Sequence, residues 1–177
     1  VEALHVLYAD FPVAPPEGLA DFHLRVTPPR GLRRWWRPQV LFLTDGRSLF
    51  EPLPRAMRAP LLEWGLNRMI ASRAHQYLIL HAAAVEQRGR ALVMPAPPGS
   101  GKSTLCAALT HRGWRLLSDE FALIRPADGR LAPLPRPVSL KDASIDVIRA
   151  FAPAAVLGPR VADTVNSVAA YMRPPGA

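Results

Sequence analysis

The stretch VMPAPPGSGKSTLCAAL, residues 93 to 109, constrains the fold of this chain more than any other segment. An apolar run predicts a β-strand, a short loop of proline, glycine and serine follows it, and an amphipathic run then predicts a helix. Gly99 and Gly101 allow backbone N–H groups to turn toward an anion, and the start of the helix presents partial positive charge at the same place. The stretch therefore predicts a phosphate-binding loop between a strand and a helix.

Individual residues of this loop have separate predicted roles. Lys102 is expected to reach the β- and γ-phosphates of a nucleotide and Ser103 to bind Mg²⁺ through its hydroxyl, so a nucleotide and Mg²⁺ are the expected ligands. The predicted nucleotide-binding residues are Pro98, Gly99, Ser100, Gly101, Lys102, Ser103 and Thr104. The pattern G-x-x-x-x-G-K-[ST] has a glycine where this chain has Ala96. That departure affects the exit from the strand and leaves the phosphate-contacting segment intact.

Two adjacent acids are the candidates for the chemistry beside this loop. Asp119 and Glu120 follow a short apolar run, and Asp119 lies 17 residues after Lys102. This length suffices for one helix and one returning strand, which would bring both carboxylates next to the loop. One acid could bind Mg²⁺ while the other accepts a proton from an attacking hydroxyl. The alternative is an exposed turn with two solvated acids.

His81 interrupts the apolar run YLILHAAAV, which predicts a strand adjoining the one that enters the loop. From that strand the imidazole could lie near the γ-phosphate or near the acidic pair. The alternative is a structural histidine with a hydrogen bond to its neighbours.

The charge of the chain raises the question of nucleic-acid binding. The formal net charge is +8, but the excess is mostly arginine scattered along the sequence. The one basic and aromatic cluster is RGLRRWWRP, residues 30 to 38, in which Trp35 and Trp36 fit equally well as core or lobe-interface residues. We therefore do not expect nucleic acid as a partner.

The 177 residues, 49% of them hydrophobic, allow one sizeable core and a small appended lobe. Residues 1–59 are predicted to form a β-rich N-terminal lobe whose clearest hairpin turns at Asp45-Gly46. Helical spacing begins at Pro60, and residues 60–177 are predicted to form the α/β core. The helix after the loop is expected to bury Leu105, Cys106, Ala108 and Leu109, and another helix is expected over residues 143–151. No apolar run is long enough to span a bilayer and no leader pattern opens the sequence, so a cytoplasmic protein without a membrane partner is expected.

The segment LHAAAVEQRGRALVMPAPPGSGKSTLCAALTHRGWRLLSDEFALI, residues 80 to 124, resembles the catalytic core of the HPr kinase/phosphorylase family, particularly its HPr-kinase-related branch. That family has a histidine at the head of a hairpin, a glycine-rich loop after the second strand, a helix ending in RG, and a strand ending in two acids. His81 precedes Lys102 by 21 residues, and this separation and the one to Asp119 both agree with the family pattern.

The resemblance implies a P-loop NTPase-like α/β core of the type shared by HPr kinases and phosphoenolpyruvate carboxykinases. It implies an ATP- and Mg²⁺-dependent kinase that phosphorylates a hydroxyl on a protein serine or a small molecule. Asp119 would be the base, Glu120 a metal-side carboxylate, and His81 a neighbour of the reacting phosphate. Members of the family often form oligomers, so a homo-oligomer is also implied.

Two alternatives remain open from the residues themselves. A small NTPase could use Glu120 to activate water and couple hydrolysis to a partner. A regulatory module could bind nucleotide without any catalysis.

Overall fold

The computed structural model describes residues 2–176 except positions 14, 16, 19, 32–34, 165 and 166. The described residues form a mixed α/β structure with more strands than helices. The α-helices described are Glu2–Leu7 (α1), Arg58–Arg73 (α2), Lys102–Thr110 (α3) and Ala143–Phe151 (α4), and a 3₁₀ turn covers Arg55–Met57. No described helix combines the length and the apolar character that crossing a bilayer requires.

The strands form three sheets in the described part of the chain, and every pairing within them is antiparallel. Strands of the first sheet are Leu24–Thr27 (β1), Gln39–Thr44 (β2), Arg47–Ser48 (β3) and Leu53–Pro54 (β4). Strands of the second sheet are Leu78–Gln87 (β5), Arg90–Pro95 (β6), Arg115–Ser118 (β7), Phe121–Ile124 (β8) and Leu131–Ala132 (β9). Strands of the third sheet are Val138–Lys141 (β10), Val161–Thr164 (β11) and Ser167–Met172 (β12).

The first sheet contains the hairpin that the sequence predicts. Asp45 and Gly46 join β2 to β3 with φ angles of 49° and 76°, the left-handed values that a tight two-residue hairpin turn needs. Strand β2 alternates, and its buried residues Val40 and Phe42 face helix α2. The hairpin expectation is confirmed.

Helix α2 packs on this first sheet through Leu61 and Met69. Its Gly65 lies directly against the Phe42 ring, because a Cβ built there would be 2.1 Å from Phe42 Cε2. The proposed boundary between residues 59 and 60 stays a prediction. Helix α2 begins before that boundary, at Arg58, and packs on strands of the predicted N-terminal lobe.

The second sheet contains the break that positions the two acids. Strands β7 and β8 lie end to end along the same edge of β5, so that together they form one long interrupted strand. At the interruption, the Ala82 N–H donates to the Glu120 carbonyl oxygen at 3.2 Å. Asp119 and Glu120 therefore lie at a break in the middle of the sheet edge, with β5 and His81 alongside.

Helix α3 packs between the second and third sheets and contributes to a core with α4. Cys106 is fully buried, as expected, together with Ala107 and Thr110. The predicted inner face was wrong at Leu105, whose exposed fraction is 51%, because the buried stripe is centred on Cys106 and Ala107. Helix α4 has the predicted bounds, and its Ile145 and Ile148 are buried.

Trp35 and Trp36 are mostly exposed. Their exposed fractions are 74% and 72%, which corrects the expectation that they are core or lobe-interface residues. Part of the basic cluster, residues 32–34, lies outside the described residues.

Candidate functional site

The glycine-rich loop connects β6 to α3 and turns at two left-handed glycines. Gly99 has φ 79° and Gly101 has φ 90°, a region that other residues rarely adopt. A Cβ at either position would meet nothing within 4 Å in the protein. Glycine is therefore needed here for the backbone conformation and not for lack of space. Gly101 directly precedes α3, and its carbonyl oxygen accepts from the Leu105 N–H at 2.9 Å.

Lys102 lies over this loop. Its ammonium donates hydrogen bonds to the carbonyl oxygens of Ala96 at 2.5 Å and Pro97 at 3.0 Å. These bonds hold the side chain along the loop, at the edge of a cavity.

This cavity, of about 680 Å³, brings together most of the residues predicted from sequence. The predicted residues that line it are His81, Pro98, Gly99, Gly101, Lys102, Ser103, Thr104, Asp119 and Glu120. Ser100 is not among the lining residues, and its N–H donates within the loop to the Pro97 carbonyl oxygen at 3.3 Å.

Asp119 presents a buried carboxyl to the cavity. The Ser139 N–H donates to Oδ2 at 3.0 Å, whereas the buried Oδ1 has no hydrogen-bond partner among the described residues. Burial raises the pKa of this carboxyl from 3.8 to about 6, and the Ser139 bond and the Ser103 side chain only partly oppose the shift. Asp119 is therefore not a solvated surface acid, and its carboxylate can accept a proton near neutral pH.

Glu120 is more exposed than Asp119 and faces His81. The distance from His81 Nδ1 to Glu120 Oε1 is 3.6 Å, and 38% of the Glu120 side chain is exposed. The position of Glu120 is set by Ser118, whose buried hydroxyl accepts from the N–H groups of Glu120 and Phe121 at 3.3 and 3.0 Å. A serine that bonds the backbone ahead of it makes a local turn, which explains why the long strand breaks here.

The oxygen donors of the cavity suit Mg²⁺, which needs few protein ligands, better than a metal ion whose ligands all come from the protein. Within the described part of the chain, no group of three or more His, Cys, Asp or Glu side chains could hold a metal ion. The Ser103 hydroxyl and the Glu120 carboxylate both line the cavity, and the unpartnered Oδ1 of Asp119 adds negative charge beside Ser103. A magnesium ion typically takes only one or two protein oxygens and completes its shell with phosphates and water.

The cavity is also lined by residues that the sequence did not predict as site residues. Helix α2 contributes Glu63, Trp64 and Asn67, and the segment before β10 contributes Arg136. Glu63 and Asn67 are four residues apart and so share a helix face. This spacing is the one feature of the sequence that could have placed them together. Arg136 lies in a proline-rich segment without any sequence pattern that would predict a site residue.

Glu63 is the centre of a buried polar network. Arg136 donates from its guanidinium to Oε2 at 3.2 Å, and the Tyr8 hydroxyl donates to Oε1. Arg136 also donates to the Asn67 side-chain oxygen. Burial raises the pKa of Glu63, while Arg136 and Tyr8 favour its ionised form. The network links the end of α1, helix α2 and the segment before β10.

Part of the chain is similar to a known protein family. A family model described as SynChlorMet cassette protein ScmC matches residues 61–144, slightly less than half of the chain, and the chain is similar to that family there. The matched segment runs from α2 to the start of α4 and includes the glycine-rich loop, both acids and Arg136. Neither a curated protein nor a solved structure matches the chain.

Proposed function

We propose that this protein is an ATP- and Mg²⁺-dependent kinase with a P-loop-type α/β core, and that it transfers the γ-phosphoryl group to a hydroxyl. The observation that carries the proposal is the cavity itself. It is lined by a left-handed glycine loop with Lys102 and Ser103 and by the buried carboxyl of Asp119. Phosphoryl transfer depends mainly on positioning and on charge stabilisation, and these residues provide groups for both.

In the proposed reaction, the acceptor oxygen forms a bond to the γ-phosphorus while the bond to the β,γ-bridging oxygen breaks and ADP leaves. The hydroxyl proton passes to Asp119, whose pKa near 6 leaves it mostly ionised at neutral pH yet basic enough to take the proton. Lys102 and the loop N–H groups bind the phosphates and stabilise their charge. Bound Mg²⁺, held by Ser103 and Glu120, would neutralise further phosphate charge.

The resemblance to HPr kinases supports the same conclusion and suggests the acceptor. It points to a serine hydroxyl on a protein, with a small-molecule hydroxyl as the other acceptor class.

One observation favours a second candidate, a small NTPase that couples hydrolysis to a partner. Glu120 is exposed to the cavity and faces His81, so the pair could orient and deprotonate water in place of an acceptor.

The first test is nucleotide binding by calorimetry, with ATP and GTP, with and without Mg²⁺. We expect Mg²⁺-dependent binding by the wild-type chain and loss of most affinity in Lys102→Ala. Arg90→Ala, at the exposed start of β6, removes a positive charge outside the cavity and is the matched control. Equal binding by Lys102→Ala and wild type would contradict the proposal.

The second test uses γ-labelled ATP and separates the candidates. A kinase labels an acceptor or itself, whereas an NTPase releases labelled phosphate without labelling protein. Binding without either outcome would leave only the regulatory module.

A further inference from the structure

Arg136 is a buried cation that the proposed roles do not use. Its side chain is 12% exposed and lines the cavity, where it pairs with Glu63, whose side chain is 10% exposed. Removing two charges from water is costly, and apolar residues of similar size often stabilise a fold as well as a buried pair does. A buried charge at the wall of a cavity is therefore a candidate for function.

The position of Arg136 places its charge near the reacting groups. It lies three residues before Ser139, whose N–H holds the Asp119 carboxyl at 3.0 Å. Its positive charge lowers the pKa of Asp119 as well as that of Glu63, so it acts electrostatically on the carboxyl that we propose as the base. Lys102 and Arg136 thus bring positive charge to the cavity from two separate elements.

The chemistry of the guanidinium suits a phosphoryl group. Its planar fork has five N–H donors, and it binds phosphate oxygens in pairs. The bonds to Glu63 and Asn67 use one donor on each of its two terminal nitrogens and leave others for a ligand. In phosphoryl transfer the charge spreads over three γ-oxygens, and an arginine next to them accelerates the reaction.

We propose that Arg136 binds the γ-phosphoryl group of ATP and stabilises its charge during transfer, with Glu63 and Asn67 holding the guanidinium in position. The inference rests on the proposed function, because it requires ATP in this cavity. It distinguishes Arg136 from Lys102, which is expected to reach the β-phosphate, present in ADP as well as in ATP, in addition to the γ-phosphate.

The test compares the affinities for ATP, for ADP, and for ADP with aluminium fluoride, all with Mg²⁺, by calorimetry. We expect Arg136→Gln to weaken binding of ATP and of ADP with aluminium fluoride at least tenfold and to leave ADP affinity within about twofold of wild type. Arg115→Gln is the matched control, because Arg115 forms an ion pair with Glu86 outside the cavity and should leave all three affinities unchanged.

A second variant distinguishes a lost phosphate contact from misfolding. Arg136→Gln leaves Glu63 as a buried carboxylate without its cation, whereas the double variant Arg136→Met/Glu63→Gln removes both charges together. Thermal unfolding checks that the double variant folds, and it should show the same selective loss for ATP and aluminium fluoride.

The results that would contradict the role of Arg136 differ from those that would contradict the kinase proposal. Equal weakening of ATP and ADP, or an unchanged ratio of their affinities in a folded double variant, would overturn the role of Arg136 while leaving the kinase proposal intact. Failure of the wild-type chain to bind ATP or ADP would overturn the proposed function and this inference with it.

Discussion

Asp119 and Ser139 are joined by a hydrogen bond between two different sheets: the Ser139 N–H in β10 donates to Asp119 Oδ2 at 3.0 Å. The bond fixes the carboxyl at the break between β7 and β8 and lowers its pKa. Burial acts in the opposite direction and prevails, so the pKa is about 6. The ionised carboxylate is therefore less favourable in the folded protein than in the unfolded chain.

The first prediction concerns stability. The folded protein binds this proton more tightly than the unfolded chain, whose carboxyl has a pKa of 3.8, so Asp119 makes stability fall as pH rises from about 4 to about 6. Asp119→Asn should remove this effect and stabilise the protein above pH 6, by up to about 3 kcal/mol since each pKa unit corresponds to about 1.4 kcal/mol. Urea unfolding at about pH 4 and at about pH 7.5 measures it.

The control for this prediction is Asp21→Asn, an exposed acid outside the cavity, which should leave the pH dependence unchanged. A variant at Asp119 with the same stability profile as wild type across both pH values would show that the carboxyl is not desolvated.

The second prediction separates the two acids. Asp119→Asn should retain nucleotide binding and lower phosphoryl transfer by about 10²- to 10⁴-fold, the usual contribution of a general base. Glu120→Gln should instead raise the Mg²⁺ concentration needed for half-maximal transfer. Transfer from γ-labelled ATP at a series of Mg²⁺ concentrations measures both effects. If the two variants exchange these phenotypes, Glu120 is the base and Asp119 the metal-side acid.

The third prediction concerns His81. Its imidazole lies 3.6 Å from Glu120, so His81→Ala should leave that carboxylate less well positioned and slow transfer, with ATP affinity close to wild type. His75→Ala is the matched control, because His75 is exposed and does not line the cavity. Equal rates for His81→Ala and His75→Ala would return His81 to a structural role.

The fourth prediction tests the packing that supports the α2 wall of the cavity. Alanine is usually better than glycine in a helix by about 1 kcal/mol. Gly65→Ala should nevertheless destabilise the protein by roughly 1–3 kcal/mol, because its Cβ would lie 2.1 Å from Phe42 Cε2. The cost should shrink in a Phe42→Leu background, and a double-mutant cycle from urea unfolding measures the difference. Simple additivity would contradict the contact.

Local signals allowed much of the architecture to be predicted. The Asp45-Gly46 turn and the bounds of α4 follow from nearby residues alone, since turn chemistry and helical spacing act over a few positions. The spacing of the loop and the two acids in the sequence predicted that they would lie close together, and they line the same cavity. Their chemical roles stay predictions.

Other features depend on contacts between distant parts of the chain. Arg136 and Glu63 form a pair although they are 73 positions apart, and no sequence pattern around either residue predicts the other as its partner. Leu105 and Trp36 are apolar yet exposed, because burial is decided by the surface that a neighbouring element covers. Hydrophobicity alone could not make that distinction.

The hydrogen bond from Tyr8 to Glu63 gives the amino-terminal helix a thermodynamic connection to the cavity. Tyr8 directly follows α1, and the carboxyl that it contacts also pairs with Arg136. A ligand that alters this ion pair changes the stability with which α1 is docked. Because such coupling is reciprocal, a molecule that displaced α1 would change the affinity of the cavity by the same factor.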